Sequence, residues 1–568
     1  MSLTEPTLGA MRLPSPTPPP PRTGVLAAIA FIAVLGVGHG GASAQGFSES
    51  RLPILELAIA ADDIPDEPKA LTRMRLVHDP EAATNTVGGP TRDYVGAVAV
   101  EQRGSSSRDL FPKVGYKLEL RGADGRDTSA ALLGMPREED WVLHGPYSDK
   151  TLLRNAFAYV MARGLPGYAP RCRFVELVLG GEYWGVYLLV ESIKRDGDRV
   201  AVAKLSPADT VGDALTGGYI LKVDKVTGED FSLDPSFRLP PRGLRGQTET
   251  QLLYHYPKPR DISPPQRRYI RAWMTQFEAR LASAAFEDPV AGYRPLVDER
   301  SFVDYLFVNE VTKNVDAYRL STYVYKERDS EGGRLHMGPV WDYNLALSNA
   351  NYGGGDVVEN WAFDFERYRP EDAFQAPFWY TRLWTSAGFR QNCARRWDTL
   401  RTPGAALSNE RLYGIFDSLA AEIGGDVAAR NFARWPVLGT YTWPNSFVPD
   451  SHAAALSHAR DYLTQRLAWL DAQFEAVTAA ADTTLTGGAV RVFANPGTGG
   501  PTYLAGVPRA SYPVRVTWYD ALGRVVRQTR VEAPGEALAA PRVAGVYYYR
   551  AYGNADAVLG AGQWVRVR

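Results

Sequence analysis

Asn309-Glu310-Val311-Thr312-Lys313-Asn314-Val315-Asp316, followed by Gly338-Pro339-Val340-Trp341-Asp342-Tyr343-Asn344, is the stretch on which the reading of this chain turns. Between its two halves, Ser321-Thr322-Tyr323-Val324-Tyr325-Lys326 has the β-branched and aromatic content of a strand. Glu331-Gly332-Gly333 turns it, and Leu335-His336-Met337 runs back. Antiparallel pairing brings the ends of a hairpin together, so Asp316 and Asp342 are predicted to approach one another. Two close carboxylates repel, which favours a bound divalent cation or raises a pKa. Mg2+ takes one or two carboxylates and leaves positions for water and phosphate, and a second carboxylate can accept a proton from an incoming hydroxyl. Aspartates also cap turns. Spacing alone therefore leaves the pair open between a phosphate-transfer centre and two turn residues.

Outward from this stretch the chain changes character. Residues 52–260 read as strands punctuated by Gly and Pro, among them Tyr116–Leu120, Phe174–Leu179, Tyr187–Val190 and Tyr219–Val223. Gly180-Gly181 is a hairpin signal. One helix is predicted from Lys150 to Arg163, where Leu153, Phe157 and Val160 fall at helical spacing. Residues 261–477 read as mostly helical. Ser263-Pro264 is an N-cap with proline at the first helical position, and Ile270, Trp273, Phe277 and Leu281 mark one face. Further helices are predicted over Ser301–Lys313, Pro377–Leu400, Asn409–Ile423 and His452–Val477. Small polar residues from Thr478 onward predict a linker over 478–489. Beyond it, 490–568 has short strands at regular intervals, the pattern of a small β-sandwich. The fold class is α+β: a β-rich part, a helical part carrying the polar motif, and a C-terminal sandwich.

The N-terminus reads as an address. A Pro-rich start is followed by an apolar run, Gly24 to Leu35, and then Ala42-Ser43-Ala44, a small-x-small cleavage pattern. Residues 1–44 are thus predicted to be a signal peptide, and no later segment is long and apolar enough to span a bilayer. With 63 basic and 64 acidic side chains the formal charge is −1, and no block of like charge stands out, which argues against a general nucleic-acid binder. The seven His and the two cysteines, Cys172 and Cys393, form no zinc-ligand spacing, and sequence does not decide whether the cysteines pair. Gly145 to Thr151 ends in Lys-Thr but has Asp149 where a phosphate-binding loop requires Gly.

An ordered series of segments shifts the reading of Asp316 and Asp342. Arg103-Gly104-Ser105-Ser106-Ser107-Arg108, Phe111-Pro112-Lys113, Tyr116-Lys117-Leu118, Trp141-Val142-Leu143-His144, Ser148-Asp149-Lys150-Thr151 and Arg154-Asn155 come first. Gly181 to Glu191, Gly217 to Asp224 and the two aspartate motifs follow. From about Leu71 to Leu347 this series resembles the CotH family of atypical secreted protein kinases, with weaker likeness to about Gln473. The resemblance implies a two-lobed kinase-like fold, with a β-rich N-lobe over 52–260 and a helical C-lobe over 261–477. It also implies transfer of phosphate from ATP to Ser or Thr of secreted or surface proteins, with Mg2+ or Mn2+. Asp316 then matches the catalytic carboxylate with Asn314 as helper, and Asp342 matches the metal-binding carboxylate with Asn344 beside it. Lys113, Lys117 and Arg154 become candidates for nucleotide phosphate, and Glu191 for a lysine partner. The Ser105–Ser107 loop could offer backbone N–H groups to phosphate. Two positions depart from the family pattern: Asn344 stands where other members often carry a second Asp, and Ser321 where many kinases place a metal-binding Asn.

The last segment has its own likeness. Asn495-Pro496, Asp520-Ala521-Leu522-Gly523-Arg524 and Gly545-Val546-Tyr547 resemble the type A sorting domain of the type IX secretion system. That implies passage through the outer membrane to the surface or medium, with the secretion machinery as partner. Two functions follow as expectations: an exported kinase, or a catalytically inactive surface protein of the same fold. Asn344, Ser321 and the scarcity of ATP outside cells favour the second, while the retained Asp316 and Asp342 favour the first.

Overall fold

The computed structural model describes residues 46–226, 234–240, 249–485, 491–493, 502–505, 507, 511–534, 536–553 and 558–566. The expected signal peptide, the end of the expected linker and Asn495-Pro496 lie outside them.

A two-residue strand, β1 (Glu49–Ser50), precedes β2 (Ile54–Leu57) and β3 (Ala70–Val77). Then come β4 (Asn85–Thr86), β5 (Tyr94–Arg103), the short helix α1 (Ser106–Leu110), β6 (Gly115–Arg121) and β7 (Asp140–His144). Helix α2 (Arg154–Ala162) leads into β8 (Cys172–Leu179) and β9 (Glu182–Glu191). Seven of these strands close a barrel in the order β2-β3-β5-β6-β7-β9-β8, antiparallel except where β2 meets β8. Period-2 alternation decides which side chains fill it. Leu118 and Leu120 of β6, Trp141 and Leu143 of β7, and Tyr187 and Leu189 of β9 pack inside. Val186, Leu188 and Val190 of β9 face the other way, into a larger core shared with the helices. Gly180-Gly181 joins β8 to β9 as a two-residue turn with both φ positive.

After α3 (Gly212–Thr216) come β10 (Tyr219–Val223), β11 (Ser236–Leu239) and β12 (Thr250–Tyr256). Helix α4 (Pro264–Ala282) begins with the expected Ser263 cap, where the Gln266 side chain accepts from the Ser263 amide at 2.9 Å. Helix α5 (Glu299–Thr312) starts on Asp298, whose carboxylate accepts from the Ser301 amide, and ends at Lys313 in the left-handed region. The hairpin of β13 (Thr322–Lys326) and β14 (Leu335–Met337) follows, as its residues predicted. It does not stand alone. It adds to β10, β11 and β12 in one five-stranded sheet of order β11-β12-β10-β13-β14. The expected division between residues 260 and 261 therefore cuts a continuous hydrogen-bonded sheet. Hairpin signals are local in sequence, whereas pairing of β10 with β13 spans a hundred residues and leaves no local mark.

The helices that follow depart from expectation in three places. The stretch Pro377–Leu400 is split into α6 (Trp379–Leu383) and α7 (Ala387–Arg401), because Ser386 caps the second helix by accepting from the Phe389 amide at 3.1 Å. Helix α8 (Asn409–Arg434) runs past Ile423 through a kink at Gly424. There φ is +60° and ψ 173°, a backbone conformation that glycine adopts without the strain a Cβ would bring. Helix α9 (His452–Leu485) continues through part of the expected linker, as Ala479-Ala480-Ala481 favours helix more than its small size favours a coil. Two fully buried charges fasten α5 to α9: Arg466 donates to Glu310 Oε2 at 2.8 Å, and both side chains are 0% exposed.

The C-terminal strands are β15 (Arg491–Phe493), β16 (Tyr503–Ala505), β17 (Val514–Tyr519), β18 (Val525–Val531), β19 (Gly545–Tyr552) and β20 (Val558–Arg566). β18-β17-β19-β20 form an antiparallel sheet, and β15 pairs with β16, around a core that includes Val516, Trp518 and Trp564. The Asp520-x-x-Gly523-Arg524 motif is the turn between β17 and β18. Asp520 Oδ1 accepts from the Leu522 and Arg524 amides at 2.9 Å, and its Oδ2 accepts from Arg524 Nε at 2.8 Å. Tyr547 of the Gly-x-Tyr motif donates its hydroxyl to Val543 O at 3.0 Å. Cys172 and Cys393 are buried and unpaired. No helix among the described residues is long and apolar enough to cross a membrane.

Candidate active site

A cleft of about 670 Å³ opens where the ends of β5, β7 and β10 meet the loops after α5 and β14. Asp316 and Asp342 both line it, as do Lys113 and Asn344. The β13–β14 hairpin thus brings the two aspartates to one cavity. Asn314 ties the two loops together. Its Nδ2 donates to Asp342 O at 3.0 Å, and its Oδ1 accepts from the Asp316 amide at 3.4 Å. It acts on the backbone of both carboxylates.

The two carboxylates are held differently. Asp316 Oδ1 accepts from Arg319 Nη2 at 2.6 Å and from the Tyr352 hydroxyl at 3.2 Å. Asp342 has φ of +64°, donates its amide to the Tyr159 hydroxyl at 3.2 Å, and makes no side-chain hydrogen bond or ion pair among the described residues. Its carboxyl opens to solvent along the cleft but is walled by protein on its other sides. That burial, reinforced by Asp316 and Asp224 and opposed by Arg103 and Lys225, pushes its pKa up to about 6. The donor types along this wall are those a small hard cation takes. Asp342 offers an unengaged carboxylate, Asn344 an amide oxygen, and Asp224, which also lines the cleft, a further carboxylate.

Cationic groups surround these acids. Arg103 stacks over Trp341 at 5.1 Å, Lys222 pairs with Asp224 at 3.2 Å, and Lys225 donates to Ser106 Oγ at 2.7 Å. Lys113 is buried and donates to Asn431 Oδ1 at 2.7 Å; burial holds its pKa well below the usual lysine value. Burial likewise lowers His144 to about 4, so it is neutral near pH 7. The Ser105–Ser107 segment lines the mouth of the cleft and turns into α1.

Three expected phosphate-site residues stand elsewhere. Lys117 points to the outer face of the barrel, because its neighbours Tyr116 and Leu118 take the inner one, and it pairs with Glu101 at 3.4 Å. Glu191 is fully buried and is satisfied by Arg171, through the amide and Nη1 at 2.9 Å, and by the Tyr168 hydroxyl at 3.1 Å. It is not a lysine's partner. Arg154 is buried against Asp149 and donates to the carbonyls of Ala346 and Leu347 at 2.8 and 3.2 Å. It braces the segment after Asp342 from behind. Conversely, Asp224, Arg319 and Tyr352 were not singled out. Arg319 carried only the weak signal of a basic residue three positions after an acid. Tyr352 carried none.

Outside the cleft, the group of Glu138, Glu139 and Asp140 has ligand atoms within 4.8 Å of one another, a convergence the cleft carboxylates do not reach, but Lys194 sits among all three. It is an ion-pair network at the barrel rim.

Against known proteins, a family model described as CotH kinase protein matches residues 100–470, a span that holds the cleft and every residue just described around Asp316 and Asp342. No curated protein matches the chain. The chain belongs to the CotH kinase protein family.

Proposed function

We propose that this protein is an exported protein kinase that transfers phosphate from ATP to Ser or Thr of secreted or surface proteins. The observation that carries the reading is the division of labour in the cleft: one carboxylate fixed by two donors, Asp316, and one without a side-chain partner among the described residues, Asp342. Asp316 presents Oδ2 to accept the proton of an incoming hydroxyl. Asp342, with Asn344 and Asp224, would hold Mg2+ or Mn2+, which neutralises phosphate charge when bound. The cations Arg103, Lys222 and Lys225 offer charge to nucleotide phosphates, and the buried Lys113 offers an N–H donor. Family membership supports a kinase-like two-lobed arrangement, with the barrel in the N-lobe and the α4–α9 region in the C-lobe.

Export rests on the N-terminal signal-peptide pattern and on the C-terminal motifs, which we read as a type IX sorting domain addressing the chain to the outer membrane machinery and the cell surface or medium. A second reading, a non-catalytic surface protein, draws support from Asn344 and Ser321, the two cleft residues that depart from the kinase pattern. Labelled ATP decides between them. Label transferred to a Ser- or Thr-bearing protein in Mg2+ or Mn2+, and lost in Asp316→Ala and Asp342→Ala, is the expected result. A chain that transfers no label and binds no nucleotide with either metal is not a kinase.

A further inference from the structure

One guanidinium in the cleft faces two carboxylates. Arg319 is 4% exposed and follows Asp316 in a tight turn, in which the Arg319 and Leu320 amides donate to Asp316 O at 3.3 and 3.1 Å. From there Nη2 reaches Asp316 Oδ1 at 2.6 Å, and Nη1 reaches Asp372 Oδ1 at 3.3 Å and Phe374 O at 3.0 Å. Nε donates to Val315 O at 3.2 Å, and the plane rests on the Phe365 ring at 4.1 Å. Phe365 comes this close because Gly353 has no side chain: a Cβ there would meet the ring at 2.4 Å. Asp372 in turn organises its own loop. Its Oδ1 accepts from the Phe374 amide at 2.9 Å, and its carbonyl accepts from Gln375 Nε2 at 3.0 Å. Asp372 and Phe374 both line the cleft.

We propose that Arg319 and Asp372 form a latch that positions Asp316 and fastens it to the 365–374 rim of the cleft. This rests on the phosphotransfer reading of Asp316. Both donors to that carboxylate, Arg319 and Tyr352, use Oδ1, so the latch fixes the rotation of the group and leaves Oδ2 as the oxygen turned to an acceptor hydroxyl. The fork geometry of a guanidinium lets one side chain hold two carboxylates at set angles, which a lysine could not do. Asp372 touches neither Asp316 nor Asp342. It is a positioning residue, acting only through Arg319, far along the chain from the motif it serves.

The test compares the full chain with Asp372→Ala, Asp372→Asn and Arg319→Lys. It reads kcat and KM for ATP, Mg2+-ATP affinity, and hydrogen exchange at the Arg319 and Leu320 amides. Displacing a catalytic group slightly costs on the order of ten- to a hundredfold in turnover. Asp372→Ala is therefore expected to lower kcat by that factor, leave KM and affinity for ATP unchanged, and speed exchange at both amides. Asp372→Asn, which keeps an acceptor oxygen for Arg319, recovers part of the loss. A kcat for Asp372→Ala within about twofold of the parent overturns the proposal, as does a fall in ATP affinity that matches the fall in kcat. If the parent chain transfers no label, the kinase reading fails by itself, and exchange alone then decides the latch. Faster exchange in Asp372→Ala supports it, and unchanged exchange overturns it.

Discussion

Glu310, fully buried near the C-terminal end of α5, and Asp342, open to the cleft on the loop after β14, are acidic residues treated in opposite ways. Glu310 is 0% exposed and satisfied on every side: Arg466 and the amides of Ala362 and Phe363 donate to it, as does the Tyr318 hydroxyl. Asp342 has no side-chain hydrogen bond or ion pair among the described residues; desolvation in the cleft, with Asp316 and Asp224, opposes its charge more than Arg103 and Lys225 favour it. The carboxylate that carries structure is given its counter-charge by the fold; on the function proposed above, the one that carries chemistry is left short of it for a ligand to complete.

The comparison breaks first at Glu310. Glu310→Ala leaves the Arg466 charge buried with backbone carbonyls but no counter-ion and is expected to lose about 3–5 kcal/mol of stability, read by urea unfolding. A loss below about 1 kcal/mol would mean that the pair is not the fastening of α5 to α9.

Asp342 is expected to behave in the opposite sense. Its folded pKa, about 6, lies above the ordinary 3.8, so the native state binds its proton more tightly than the unfolded chain. The stability associated with that group is present at low pH and is lost as pH rises from about 4 to about 6. Asp342→Asn should therefore raise the melting temperature by a few degrees at pH 7.5, with the gain vanishing near pH 4. Mg2+ should raise the melting temperature of the parent chain above pH 6 and leave Asp342→Asn unmoved. A parent and variant that melt alike at every pH would remove the asymmetry.

Lys117 marks the small end of the scale. It belongs to an ion pair on the barrel exterior, so Lys117→Ala should change stability by no more than about 0.5 kcal/mol and leave ATP affinity as it was. Weaker ATP binding in that variant would return Lys117 to the phosphate site.

The hairpin with its two aspartates was legible because strand content, turn glycines and their order all lie within thirty residues of chain. So were the capped start of α4 and the β8–β9 turn, whereas α5 was read from Ser301 and its Asp298 cap was not. Lys113 was legible as a cleft lysine, but its neighbour Lys117 was not separable from it, because which face of β6 is buried depends on closure of the barrel. Glu191 shows the same limit: a buried acid's partner comes from across the fold, and Arg171 stands in an unremarkable loop. The place of Asp372 beside Arg319 was beyond local reading altogether, since the contact joins two loops with no periodicity in either. Where the helix ran on past Val477, local propensity held the answer and the smallness of the residues obscured it.

The measurement that tests the central claim most directly is the Mg2+-dependent affinity for ATP of Asp342→Asn and Asp316→Asn beside the parent chain, by calorimetry. The account predicts that Asp342→Asn loses metal-dependent nucleotide binding, while Asp316→Asn binds as the parent does and fails only in transfer. Equal binding by all three, or equal loss in both variants, would contradict it.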